Sequence, residues 1–139
     1  MPPLDRRAVL IGALVAALVV LPAAFLNDAV KPDTDAGEEA SAAVFFAFLL
    51  IFGGLFLGGF VAGRLQPNTP LVHGAAAAAL AYLVLQGAFV LRRVVADEPV
   101  SWLGIVFLTL LAASCGMGGG LLASWLHSRR IDRAAEGGP

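Results

Sequence analysis

The stretch Gly53–Arg64, GGLFLGGFVAGR, decides the fold. Glycines stand at 53, 54, 58, 59 and 63, and Arg64 closes the run. In water this density of glycine would weaken a helix, because glycine loses the most backbone entropy on folding. In a bilayer the backbone must satisfy its own hydrogen bonds, so the helix persists, and the glycines let a second helix approach closely. The stretch predicts a packing surface inside a membrane bundle.

It forms the second half of a longer apolar segment, Ser41–Gly63, which reads as a transmembrane span and holds six of the nine phenylalanines. At about 100° per residue, Phe45, Phe52, Phe56 and Phe60 share one side of the helix. Gly54, Gly58 and Ala62 fall opposite in small-xxx-small spacing, and Gly59 with Gly63 makes a second such pair beside them. The smooth side is expected to meet another helix, and the phenylalanines to meet lipid or a partner.

Composition agrees. Of 139 residues, 59% are hydrophobic and 14% charged, with a mean hydropathy of +0.85. A soluble domain carries about 25% charged residues. This chain has too little polar surface to cover a water-soluble globule, so an integral membrane protein is expected. The net charge of -1 gives no footprint for nucleic acid. Cys115 is the single cysteine, which excludes an internal disulfide.

Three further spans follow from apolar runs. Ala8–Leu26 carries no charge and would rise about 28 Å as a helix, enough for a hydrocarbon core of about 30 Å. Arg6 and Arg7 before it also fit a signal peptide, but the run is long and no clean small-x-small site follows, so retention is expected. Pro22 should kink or end this helix. Leu71–Leu91 is the third span; its Gln86 needs a hydrogen-bond partner. Val100–Leu126 is the fourth. Trp102 and Trp125 stand at its ends, about 35 Å apart along a helix, as an aromatic belt requires. Between them Ser114/Gly118, Gly116/Gly120 and Gly120/Ser124 are spaced for close packing, with Gly119 in the same run.

The connections are short. Residues 27–40, NDAVKPDTDAGEEA, form an acidic loop in which Asp35 and Glu38 read as a capping box. Asp33 and Asp35 have a DxD spacing, but the rest of a calcium loop is missing. In LQPNTP, Pro67 stops the second helix, and Thr69-Pro70 reads as N-cap and N1 of the third. Asp97 and Glu98 are placed to neutralise Arg92 and Arg93 and to favour the start of the fourth helix. Residues 127–139 read as a polar tail that frays. With both termini in the cytoplasm, Arg6, Arg7, Arg64, Arg129, Arg130 and Arg133 lie inside, against Lys31, Arg92 and Arg93 outside. That balance favours a multi-pass protein of the inner (plasma) membrane with both termini inside and an extracytoplasmic acidic loop.

The halves resemble one another. Residues 10–18 align with 72–80 at an offset of 62, through Gly12 and Gly74. Residues 58–65 align with 119–126 at an offset of 61, through Ala62 and Ala123. Two parallel hairpin repeats are therefore expected, related by a pseudo-two-fold axis along the membrane normal.

No ionisable residue lies within the interior of the four spans, where coupled transporters carry their charge. The first span lacks the carboxylate that small four-helix multidrug exporters need. His73 and His127 flank spans and are too few for a metal site. Ser114 beside Cys115 has no histidine base at its depth. No cofactor, metal or enzymatic activity is expected. Arg64 reads as a positive-inside anchor, with a lipid-phosphate contact or a helix C-cap as its sharper roles.

The run GGFVAGRLQPNTPLVHGA resembles small bacterial four-helix membrane proteins of uncharacterised function, through Gly58, Gly59, Ala62, Gly63, Arg64, His73 and Gly74. The resemblance implies architecture and carries no activity. The expectation is an all-α bundle of four transmembrane helices. It would be non-enzymatic and act by packing, with itself or as an accessory subunit of another membrane complex. The packing residues would be Gly54, Gly58, Gly59, Ala62, Gly63, Gly116, Gly119, Gly120 and Ser124. The alternative is a small transporter or channel with its pathway at an oligomer interface, lined by Gln86, Thr109 and Ser114.

Overall fold

A computed structural model describes residues 4–29 and 38–136. They form four α-helices: α1 (Arg6–Ala29), α2 (Glu38–Leu65), α3 (Pro70–Val95) and α4 (Trp102–Glu136). Each is long and apolar enough to cross a membrane. The chain is an all-α four-helix bundle.

Helices α2 and α3 are central. Each touches the other and both outer helices, whereas α1 and α4 do not meet among the described residues. A two-fold relating the α1–α2 and α3–α4 hairpins would pair α1 with α4 whenever α2 pairs with α3. The bundle is instead rhombic, and the hairpins are not placed equivalently. Within each hairpin the crossings are alike: Gly58 of α2 meets Gly12 and Ala16 of α1, and Gly116 of α4 meets Gly74 and Ala78 of α3, one turn before the sequence-aligned Gly119, which faces α2.

Close approach explains the core. Its buried members are mostly alanines, with Val20 and Leu55 the largest side chains fully enclosed. Ala13, Ala16, Val20, Leu55, Ala78, Ala81 and Ala112 form one cluster. Val9, Ala62 and Ala77 form a second toward the Arg64 end. Large apolar side chains such as Leu18, Phe45 and Leu103 point outward. This suits a bilayer, where helices gain by van der Waals contact between small residues and lipid solvates the large ones.

Two helix ends and one cap differ in detail from the sequence reading. Helix α1 runs through Pro22 to Ala29 without ending. Pro22 is exposed on the bundle's outer surface. Helix α4 continues to Glu136, through the segment read as a fraying tail. There the Arg129 guanidinium stacks 3.8 Å over the Trp125 ring, and Ser128 bonds the Ser124 carbonyl. Once a helix is nucleated, each added residue contributes its own bond. Finally, Thr69 is the N-cap residue of α3 with Pro70 behind it, but its hydroxyl makes no capping bond. The Asp35–Glu38 capping box and most of the acidic loop lie outside the described residues.

The α3–α4 connection is closed by a Schellman motif. Glu98 N–H bonds the Arg93 carbonyl and Asp97 N–H the Val94 carbonyl. Asp97 holds the left-handed position at φ 56°. Ser101 then caps α4 through its hydroxyl, 3.4 Å from the Gly104 N–H.

Candidate functional site

The small residues read from the sequence all lie against other helices or beside them, and two faces of α2 take different partners. On one face, a Cβ at Gly54 would stand 2.9 Å from Val19 of α1. One at Gly58 would stand 2.6 Å from Ala16. Ala62, fully buried, meets Gly12. On the other face, Gly59 lies against the Gly116 backbone, and Gly63 against Gly120 Cα, where a Cβ would come to 2.8 Å. Gly116 also meets the Gly74 carbonyl, Gly119 the Phe56 carbonyl and Gly120 the Pro70 carbonyl. Only backbone-to-backbone contact allows this, which is why glycine is needed there. Ser124 is half-buried on α4 one turn beyond Gly120. The glycines are thus used within the chain.

The phenylalanine side is divided. Phe45, Phe46 and Phe48 are exposed, while Phe52, Phe56 and Phe60 are half-buried. Phe56 backs Gly118 of α4, and Phe60 lies under the Arg64 guanidinium at 5.4 Å.

A polar clasp closes the Arg64 end. His73 is the buried polar side chain there, 2% exposed. The Asp5 backbone N–H donates to its Nε2 at 2.9 Å. Nε2 must therefore accept, which places the ring proton on Nδ1. Nδ1 lies 2.9 Å from both the carbonyl and the hydroxyl of Thr69. Asp5 in turn caps α1, its Oδ1 accepting from the Arg7 N–H at 2.9 Å, and its Oδ2 accepts from the Gln66 amide at 2.6 Å. The Gln66 bond, with the Arg7 N–H behind it, holds the Asp5 carboxyl below the usual carboxylate range. One cluster so joins the start of α1, the α2–α3 turn and the start of α3. The sequence reading placed His73 at an interface and passed over Asp5 and Gln66. The available signal was Asp5 as an N-cap residue before the first apolar run.

Nearby, Arg64, His127 and Arg130 border a small cavity of about 30 Å³ between the end of α2 and α4. At the opposite end, a cavity of about 210 Å³ is lined by Phe52, Tyr82, Gln86, Phe89 and Leu108 among others. The Tyr82 hydroxyl is buried without a hydrogen-bond partner among the described residues. Of the three residues read as a polar pathway, Gln86 alone borders this space. Thr109 turns its hydroxyl onto the Ile105 carbonyl at 2.7 Å, and Ser114 turns its own onto Leu110 at 2.9 Å. Both satisfy themselves on their own helix. Among the described residues no three metal-ligating side chains come together.

A profile of the DUF3792 family, proteins of unknown function, matches residues 6–123. The chain belongs to the DUF3792 family. No curated protein and no solved structure matches it. The DUF3792 match covers α1, α2, α3 and most of α4, including the clasp from Gln66 to His73 and every inter-helix glycine contact.

Proposed function

We propose that this protein is a non-enzymatic component of a bacterial inner membrane, acting by association in the plane of the bilayer. It works as a homo-oligomer or as an accessory subunit of a larger complex, with both termini in the cytoplasm. One observation carries this reading. The glycines pack within the chain, yet a shallow apolar trough remains on the outer surface between α3 and α4. Ala75, Ala76, Ala79 and Ala113 floor it, and Leu71, Val72 and Met117 edge it, around a volume of about 410 Å³. Small residues flanked by larger ones give a low-relief seat for another helix.

Gly58 packs within the chain and so cannot report on association. A leucine there would break the α1–α2 contact before it reported on association. Ala79→Phe fills the trough and leaves the internal glycine contacts alone. The protein is extracted gently from its membrane, and the mass and composition of the complex are measured. A homo-oligomer or a stoichiometric second protein that Ala79→Phe releases supports the reading. A monomer under the gentlest extraction overturns it.

The second reading is a small transporter or channel with its pathway at an oligomer interface, and the cavity bordered by Gln86 favours it. Flux in liposomes holding the purified protein, lost in Gln86→Leu, would carry that reading. Arg64, beside His127 and Arg130, is proposed to contact lipid phosphate at the cytoplasmic face.

A further inference from the structure

Helices α3 and α4 pack differently at their two ends. Toward Arg64 they touch backbone to backbone at Gly74 and Gly116. Toward Arg93 they part: a cavity of about 210 Å³ opens among α2, α3 and α4, and one of about 230 Å³ opens between α3 and the start of α4. These share Gln86, Phe89 and Leu108, so they adjoin as one crevice.

The crevice has an apolar depth and a cationic mouth. Phe48, Phe52, Leu85 and Leu111 line the depth. Arg93, Ser101 and Gly104 line the mouth, at the first turn of α4. Arg93 alone is charged among the residues lining either cavity; Asp97 and Glu98 border neither. Its guanidinium has five N–H donors, of which one reaches the Pro99 carbonyl at a long 3.4 Å. From Tyr82 to Arg93, α3 rises about 16 Å, close to half of a hydrocarbon core of about 30 Å. The crevice therefore has the length of one leaflet, apolar where the acyl chains lie and cationic where the phosphates lie.

The geometry points to a lipid site: an anionic phospholipid places one acyl chain in the α3–α4 crevice and its phosphate on Arg93. Gln86, about 10 Å below Arg93 along α3, offers its amide to an ester carbonyl. The Tyr82 hydroxyl, at the bottom, takes no part in this assignment. The site is independent of the association proposed above, because the trough lies at the level of the Gly74–Gly116 crossing and shares no lining residue with the crevice.

The test uses the full chain in bilayer discs of phosphatidylcholine mixed with phosphatidylglycerol. Lipids retained after release into mild detergent are counted by native mass spectrometry. The wild type is expected to prefer phosphatidylglycerol by about tenfold or more, as one charge-assisted contact gives. Arg93→Gln should bring that ratio close to one. Arg92→Gln, which borders neither cavity, should leave it. Leu108→Trp fills the neck between the cavities and should lower retention of both lipids. Helix content by circular dichroism confirms that each variant is folded. Equal loss in Arg92→Gln and Arg93→Gln would show general surface attraction and overturn the site. So would retention in Arg93→Gln equal to wild type. A disulfide between two Leu108→Cys copies would give the crevice to a second chain. Phosphatidylglycerol binding that appears only after Asp33 and Asp35 are changed to Asn would give the mouth to the chain's own acidic segment. Either result overturns the lipid assignment.

Discussion

The backbone N–H of Asp5 donates to Nε2 of His73 across 2.9 Å, tying the first turn of α1 to the first turn of α3 over 68 residues of sequence. The bond crosses from one hairpin to the other. It leaves His73 buried and bonded at both ring nitrogens.

Removing that ring should loosen the end of the bundle. His73→Ala strands the Asp5 N–H and takes the ring from the Thr69 hydroxyl, while the Thr69 carbonyl keeps the backbone N–H of residue 73; a buried donor left unpaired costs about 1–3 kcal/mol. Thermal unfolding in detergent should register the loss, with faster hydrogen exchange at residues 5–9. Unchanged exchange there would show that the clasp holds nothing in place.

The Asp5 carboxyl adds a pH dependence of known sign. Its folded pKa is lowered, by Gln66 first and the Arg7 N–H next. A lowered carboxylate stabilises the folded state above its unfolded pKa and loses that contribution as pH falls through the folded one. Wild type should melt above Asp5→Ala at neutral pH, and the gap should close well below the carboxylate range. A gap that persists in strong acid would assign the effect to packing.

Much of the bundle was legible because a bilayer leaves few choices. Four uncharged runs between polar turns must be four helices, and the Gly58 and Gly59 spacings marked two packing faces on α2. Which helix each face meets was not legible, since spacing names a surface and not its partner. How the two halves sit together was not legible either: Gly58 meets Gly12 and Ala16 as Gly116 meets Gly74 and Ala78, yet α2 touches α3 while α1 and α4 do not meet among the described residues. The clasp was hidden by distance, its members lying 61 and 68 residues apart. That the Thr109 and Ser114 hydroxyls fold back onto the carbonyls of their own helix was not legible, because polarity alone does not reveal such a bond.

The α3–α4 turn carries strain that one substitution should relieve. Asp97 sits at φ 56°, where an L side chain costs about 1–2 kcal/mol and glycine costs little. Asp97→Gly should stabilise the folded chain by about 1 kcal/mol, less the extra entropy of glycine in the unfolded chain, and so raise the melting temperature. A fall would mean that the Asp97 side chain supports the turn beyond its backbone geometry.

Glycine should be intolerant of change at the helix crossings and tolerant elsewhere. A Cβ at Gly116 would run into the Gly74 carbonyl and lie 2.5 Å from Ala78 Cβ, with backbone on the near side that cannot give way. Gly116→Ala should therefore part α4 from α3, at the cost of about 1–3 kcal/mol typical of overpacking. Gly87 lies on the same α3–α4 hairpin, but a Cβ there meets nothing within 4 Å. Gly87→Ala should be neutral or stabilising, by at most about 1 kcal/mol, from helix propensity alone. Melting both variants side by side in one detergent separates contact from propensity. If Gly116→Ala melts with Gly87→Ala, close approach at Gly74 and Gly116 is not what holds the second hairpin together.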